Sequence, residues 1–116
     1  MNHEYFVWDK DRVKNYIRHF GTPQNPEKKH EARMEVASYL VEGDSVLDVG
    51  CGVGHFYPWV KGMDYLGIDL SEDMLRKARE FNPNGKFEYG DVYDLSKFRV
   101  FDSVVCLSLL IHLPDI

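Results

Sequence analysis

Cysteine is scarce in this chain: Cys51 and Cys106 are the two among 116 residues. Two thiols cannot build a disulfide framework, so the composition suits a reducing cytoplasm. No apolar run approaches the ~18 residues of a membrane span. No basic start followed by an apolar stretch marks a signal peptide. Positive charge is also short: 14 Lys and Arg stand against 19 Asp and Glu, a formal net charge of -5. The shortage is concentrated, because residues 41–116 hold 13 of those 19 carboxylates and only 7 basic side chains. Such a surface repels a phosphate backbone, which argues against a nucleic-acid partner. Repeats and low-complexity tracts are absent too. What remains is ordinary globular material, 44% hydrophobic and 28% charged, of a length for one domain or part of one.

The first 42 residues read as a helical segment, with the main domain over 43–116. Asp9 is placed to cap a helix, with Trp8 and Val13 at the spacing of a hydrophobic staple. Val13, Tyr16, Ile17 and Phe20 follow at i, i+3, i+4 and i+7, one apolar stripe. Gly21 ends that helix, and Thr22-Pro23-Gln24-Asn25 reads as a linker. Asn25 as cap and Pro26 in the first turn open a second helix. Its apolar stripe is expected at Ala32, Val36, Tyr39 and Leu40, and Gly43 stops it.

From Ser45 the period changes. Ser45–Val49, Tyr65–Asp69, Lys86–Tyr89 and Asp102–Leu107 read as four strands. Ser71 caps a helix between the second and third, with Met74, Leu75, Ala78 and Phe81 inward. Alternating strands and crossovers predict an α/β fold, a parallel sheet flanked by helices. Right-handed crossovers then put the loop after each strand on one edge, where such sheets bind ligands.

The most informative stretch is Asp48-Val49-Gly50-Cys51-Gly52-Val53-Gly54. Glycines let the backbone turn sharply and approach a ligand closely. A phosphate-binding loop needs Gly-Lys-Ser/Thr after the glycines, and none is present. A dinucleotide fingerprint, G-x-G-x-x-G, would place its third glycine at position 55, which is His55. The spacing is G-x-G-x-G, and Asp48 precedes it by two residues. A carboxylate there disfavours a pyrophosphate and favours an ammonium or sulfonium group. Asp69 ends the second strand, where a carboxylate can accept from both hydroxyls of a ribose. Asp91, after the third strand, can accept from an adenine amine, with Leu70 and Val92 on either side of the purine. Removing Asp69 is expected to weaken binding and leave folding nearly unchanged. Gly52→Val is expected to abolish binding.

Taken together these motifs resemble the class I methyltransferases that use S-adenosylmethionine. Val46–Gly54 looks like their first motif, and Tyr65–Ser71 followed by Met74-Leu75 like the next. Gly90-Asp91 and the run from Phe101–Val105 through His112-Leu113-Pro114-Asp115 look like the later two. Within the family the likeness is to the group acting mostly on small molecules. It implies a Rossmann-like fold, with the methionine part of the cofactor on Gly50–Gly54, the ribose on Asp69 and the adenine on Asp91 and Val92. The candidate cofactor set is Asp48, Gly50, Cys51, Gly52, Gly54, Asp69, Leu70, Asp91, Val92 and Leu107. Ile111 stands where the family has Glu before the His-Leu pair.

Methyl transfer from a sulfonium is an in-line displacement in which positioning supplies most of the catalysis. A base is needed only where the acceptor must lose a proton. His55 and His112 are candidate bases, and Ser108 is placed to line the methyl pocket. Tyr5, Trp8 and Tyr57 are candidates for an aromatic lid. Cys51 and Cys106 have no metal-ligand spacing with any histidine and read as small buried residues. The family sheet has seven strands and this sequence supplies four, ordered 3-2-1-4. Strand four is then an open apolar edge, from which self-association follows. A cofactor-binding part of a methyltransferase, acting on an unidentified small molecule, is the leading expectation. A non-catalytic S-adenosylmethionine-binding or interaction module on the same fold is the alternative, and an aminopropyl-transferring enzyme a third.

Overall fold

The computed structural model describes residues 9–107. Helix α1 (Lys10–Phe20) starts at Asp9, whose carboxylate accepts from Arg12 N at 2.9 Å. It buries Val13 and Tyr16 and ends at Gly21 with φ 79°. The expected linker is a small hairpin instead: β1 (Gly21–Thr22) pairs antiparallel with β2 (Asn25–Pro26). Asn25 is therefore not the cap of the second helix. Its N–H donates to Thr22 Oγ1 at 3.1 Å, closing the turn. Glu27 takes the cap, its carboxylate accepting from Lys29 N at 3.0 Å and His30 N at 2.9 Å.

Helix α2 (Lys28–Leu40) presents a different face from the one its apolar stripe suggests. His30, Met34 and Ala37 are buried. Ala32 is exposed, as are Val36 (59%), Tyr39 (77%) and Leu40 (74%). Apolar residues run round the whole helix, so periodicity does not choose a side. Packing chooses it: Met34 and Ala37 join the cluster built on Val46, Phe56 and Leu75.

The sheet holds β3 (Ser45–Val49), β4 (Asp64–Asp69), β5 (Phe87–Tyr89) and β6 (Ser103–Val105). All pairings are parallel and the order is β5-β4-β3-β6, as the expected 3-2-1-4. Every residue of β3 is buried, as befits a strand with helices or loops on both faces. Alternation along it feeds two cores. Val46 faces the cluster with Phe56, Leu75 and Phe87, while Leu47 and Val49 face Ile68 and Phe101. Fully buried side chains such as Phe56, Ile68 and Leu75 each contribute about 1.5–3 kcal/mol.

Helix α3 (Tyr57–Val60) is a single turn after the glycine loop. Helix α4 (Glu72–Phe81) begins at Ser71, whose Oγ accepts from Met74 N at 3.1 Å. Asp102 lies outside β6 and works as an anchor: its carboxylate accepts from Asp44 N at 2.8 Å and Ser45 N at 3.2 Å, fixing the start of β3. Among the described residues no helix is long and apolar enough to cross a membrane.

Candidate functional site

Because the four strands are parallel, their carboxyl ends share one edge. The glycine loop leaves β3 there. Gly50, Gly52 and Gly54 all have positive φ, at 72°, 57° and 84°, a region costly for residues with a Cβ. Gly50 N and Cys51 N both donate to Ile68 O, at 2.8 and 2.9 Å, which pins the turn to β4. The glycines differ in use. A Cβ on Gly54 would strike the Asn82 amide and the Phe87 ring, so Gly54 serves close packing. Asn82 is a site residue the sequence reading missed; its Nδ2 donates to the carbonyls of Val53, Gly54 and Ala78 at 3.2–3.4 Å. A Cβ on Gly52 would meet only Tyr16 Oη at 3.5 Å and Met74 Sδ at 3.9 Å. A substitution there is resisted by φ, with room left for a small side chain.

Two carboxylates flank the loop. Asp69 accepts from Gly52 N with Oδ2 at 2.9 Å and from Ser71 N with Oδ1 at 3.0 Å. It thus ties the glycine loop to the start of α4. The expectation that it is dispensable for folding is corrected on this ground, since its loss strands two backbone donors. Each oxygen keeps a second lone pair for a ligand hydroxyl. Burial pushes the Asp69 pKa up against those hydrogen bonds. Asp48 is buried at 3% exposure and accepts from Tyr65 Oη at 2.7 Å. Burial first, then the nearby charge of Asp69, raises its pKa to about 7, with the Tyr65 bond opposing.

Further along the edge, Leu70 is 36% exposed after β4. Asp91 and Val92 follow β5, both half-buried. Asp91 Oδ1 accepts from Tyr93 N at 2.9 Å, an Asx turn that fixes its direction. Val92 packs partly on the Leu47, Val49 and Ile68 cluster. Leu107, beyond β6, lines a small cleft, with room for about one water, together with Tyr16, His30, Asp48, Gly50 and His55.

His55 is not an exposed base. It is 3% exposed, its Nε2 lies 2.8 Å from Gly21 O, and burial lowers its pKa to about 4. His30, which the sequence reading passed over, stacks edge-on against it with ring centroids 4.6 Å apart. Nothing in the local pattern marks His30 beyond its place in the first turn of α2. Tyr57 is not a lid, because it packs on Tyr65 and Phe87 at centroid distances of 5.1 and 6.2 Å. Cys51 is buried, and desolvation holds its thiol protonated. Cys106 is half-buried, not buried as expected. Among the described residues no group of three or more His, Cys, Asp or Glu is placed to hold a metal. Tyr5, Trp8, Ser108 and His112 lie outside the described residues.

Comparison with known proteins meets this geometry. A methyltransferase-domain family matches residues 46–116, more than half of the chain. A dTDP-3-amino-3,4,6-trideoxy-alpha-D-glucopyranose N,N-dimethyltransferase from Streptomyces venezuelae is 40% identical over 74 residues, covering 62% of this chain and 31% of its own. The sugar N-methyltransferase structure from Streptoalloteichus superposes with a TM-score of 0.67 at 27% identity, over 93% of this chain and 43% of that one. Magnesium protoporphyrin IX methyltransferase from Synechocystis, solved with bound S-adenosylhomocysteine, gives 0.66 at 25% identity, over 90% of this chain and 57% of that one. The chain spans about a third of the length of the curated relatives it matches.

Proposed function

This chain belongs to the class I S-adenosylmethionine-dependent methyltransferase family, and from that premise we propose that its strand-end edge binds S-adenosylmethionine for methyl transfer to a small-molecule acceptor. The observation that carries the reading is the alignment of three stations on one sheet edge. The Asp48–Gly54 loop follows β3, Asp69 ends β4, and Asp91 follows β5.

The donor set fits that cofactor. Asp48 is a buried carboxylate with a single hydroxyl donor on Oδ2, and a buried carboxylate is relieved by a cation. Gly52 leaves open backbone where a side chain would stand. In this reading Gly50, Cys51, Gly52 and Gly54 shape the methionine end, with Leu107 across the cleft. Asp69 accepts from the ribose. Leu70, Asp91 and Val92 enclose the adenine. Bound cofactor supplies an electrophilic methyl on sulfur, and the chain's part is to hold it and exclude water. A sugar or other small acceptor is supported by the names of the relatives. That Cys51 and Cys106 are not joined in a disulfide fits the reducing cytoplasm. Among the described residues β6 pairs with β3 alone, and with Val104 58% exposed this fits self-association.

Calorimetric titration with S-adenosylhomocysteine, NAD and ATP tests the cofactor. S-adenosylhomocysteine is expected to bind and the two phosphate-bearing ligands are not. Tighter binding of NAD overturns the reading.

A further inference from the structure

Asp48 meets its hydroxyl donor across a gap in the neighbouring strand. Tyr65 and Gly67 lie two apart on β4 and so share a face of the sheet, and Gly67 is the residue paired with Asp48 in the ladder. A Cβ on Gly67 would stand 2.7 Å from Tyr65 Oη and 3.0 Å from Cys51 Cβ. With no side chain in that space, the phenol runs along the strand over Gly67, and its hydroxyl donates to Asp48 Oδ2 at 2.7 Å. Tyr57 and Phe87 pack on the ring at centroid distances of 5.1 and 5.7 Å. Tyr65 is 4% exposed and Asp48 3%, so the hydroxyl is held on the carboxyl by packing.

The charged form of Asp48 has little else to support it. Burial and the nearby negative charge of Asp69, also from β4, raise its pKa to about 7 against the Tyr65 bond. The thiol and imidazoles around it are neutral. Cys51, in the loop, stays protonated. His30 of α2 and His55 of the loop line the same cleft, and burial keeps both uncharged near neutral pH. From α1 comes the phenol of Tyr16, and β6 sets Val105 beside Asp48. On α4, Arg79 is turned to Phe87 O at 2.8 Å. Among the described residues neither Lys nor Arg lines the cleft. Asp48 thus sits close to balance between acid and carboxylate, and a positive charge arriving at the glycine loop tips it to the carboxylate. That charge need not touch it, because charges in a water-excluded interior act across several ångströms.

The methyl donor and the product it becomes differ in such a charge. S-adenosylmethionine carries a sulfonium, S-adenosylhomocysteine a neutral thioether in its place, and the two share every other group. We infer that Tyr65, through its bond to Asp48, is a positioning residue by which this site prefers the charged methyl donor over the uncharged product. The inference rests on the cofactor reading above and deepens it. As a carboxylate, Asp48 attracts the sulfonium. Once the methyl has left, that attraction ends and Asp48 takes up a proton again, which favours release of the product. The Tyr65 hydroxyl stabilises the carboxylate, so it sets how far down in pH the preference persists.

The test is the ratio of the two affinities as a function of pH. S-adenosylmethionine and S-adenosylhomocysteine are titrated calorimetrically into the 116-residue chain between pH 5 and 8. Contacts to the parts the ligands share cancel in the ratio. The preference for S-adenosylmethionine is expected to rise about tenfold with pH across this range. Tyr65→Phe keeps the ring between Tyr57 and Phe87 and removes the hydroxyl, and the same rise is expected about one pH unit higher. Asp48→Asn is expected to make the ratio independent of pH. A ratio that does not change with pH in the unaltered chain overturns the inference and leaves the cofactor reading standing. If neither ligand binds, the cofactor reading fails and takes the inference with it. A rise that stays in place in Tyr65→Phe, or that persists in Asp48→Asn, also overturns it. Two measurements need no variant. At pH 6, titrations in two buffers of different ionisation enthalpy are expected to show S-adenosylmethionine releasing more protons than S-adenosylhomocysteine, and equal release overturns the inference. In 13C spectra of the unliganded chain, the carboxyl carbon of Asp48 and the hydroxyl-bearing ring carbon of Tyr65 are expected to titrate together. An Asp48 signal that titrates while Tyr65 stays still removes the role of Tyr65.

Discussion

At the scale of single residues, the buried ionisable groups set opposing pH dependences. Asp48 is pushed up to about 7 from an ordinary 3.8, chiefly by burial. In the unfolded chain it ionises near the ordinary value. Between the two pH values the folded protein keeps a proton that the unfolded chain has released, so stability falls as pH rises through that window. His30 and His55 act the other way. Burial lowers each from 6.5 to about 4. Below pH 6.5 the unfolded chain takes up protons that the folded one refuses, and stability falls as pH drops toward 4. Asp48→Asn keeps an acceptor for the Tyr65 hydroxyl and removes the charge. Urea unfolding is expected to show this variant more stable than the unaltered chain at pH 8, by an amount that shrinks toward pH 5. An equal loss of stability at both pH values would show that the Asp48 carboxylate is ionised and well paired in the fold, against this account. Asp48 and Asp69 were legible in the sequence because each sits at the end of an apolar strand and next to glycines. The pairing of His30 with His55 was not, since the 24 residues between them carry no spacing that brings imidazoles together. It depends on how α2 packs over the glycine loop.

At the scale of elements, the reading held where one physical cause dominates. The Asp9 and Ser71 caps, the stop at Gly21 and the four strands came from side-chain chemistry that acts locally. It failed in α2 and the hairpin before it. Pro26 and Asn25 are ordinary helix-start residues, yet pairing with Thr22 and Gly21 places them in β2, leaving Glu27 to cap. On α2 the count of apolar residues favoured the wrong side, because a histidine forms part of the buried face. The consequence is measurable. Met34 is 2% exposed in the main core cluster and Val36 is 59% exposed. Met34→Ala is expected to cost about 2–5 kcal/mol of unfolding free energy, and Val36→Ala to change it by no more than about 0.5 kcal/mol. Chemical denaturation of the two variants checks this. The opposite ranking would mean that α2 is rotated to bury its valine and leucine stripe.

At the scale of the whole molecule, strand order was legible because parallel crossovers of one hand allow few arrangements, and the glycine loop marks which strand is central. The sheet then leaves β6 bonded to β3 on one side, with no strand on its other side among the described residues. Val104, in the middle of β6, is 58% exposed. The end of α2 is tied to β6 where Glu42 N donates to Ser103 Oγ at 2.8 Å and Glu42 O accepts from the same hydroxyl at 2.7 Å. A strand edge that carries an exposed apolar side chain pairs with another chain unless charge or proline blunts it. The net charge of -5 opposes contact over the whole surface, but that repulsion is screened beyond about 8 Å at physiological salt, while strand pairing acts at contact. The 116-residue chain is therefore expected to show concentration-dependent mass in sedimentation velocity, rising with added salt. Val104→Lys, alone or with Leu40→Glu, places charge at exposed positions on β6 and at the end of α2 and is expected to shift the chain toward monomer with its thermal unfolding intact. A monomer at every concentration and salt for the unaltered chain would mean that the β6 edge is already covered. Mass unchanged by either substitution would locate the contact elsewhere on the surface.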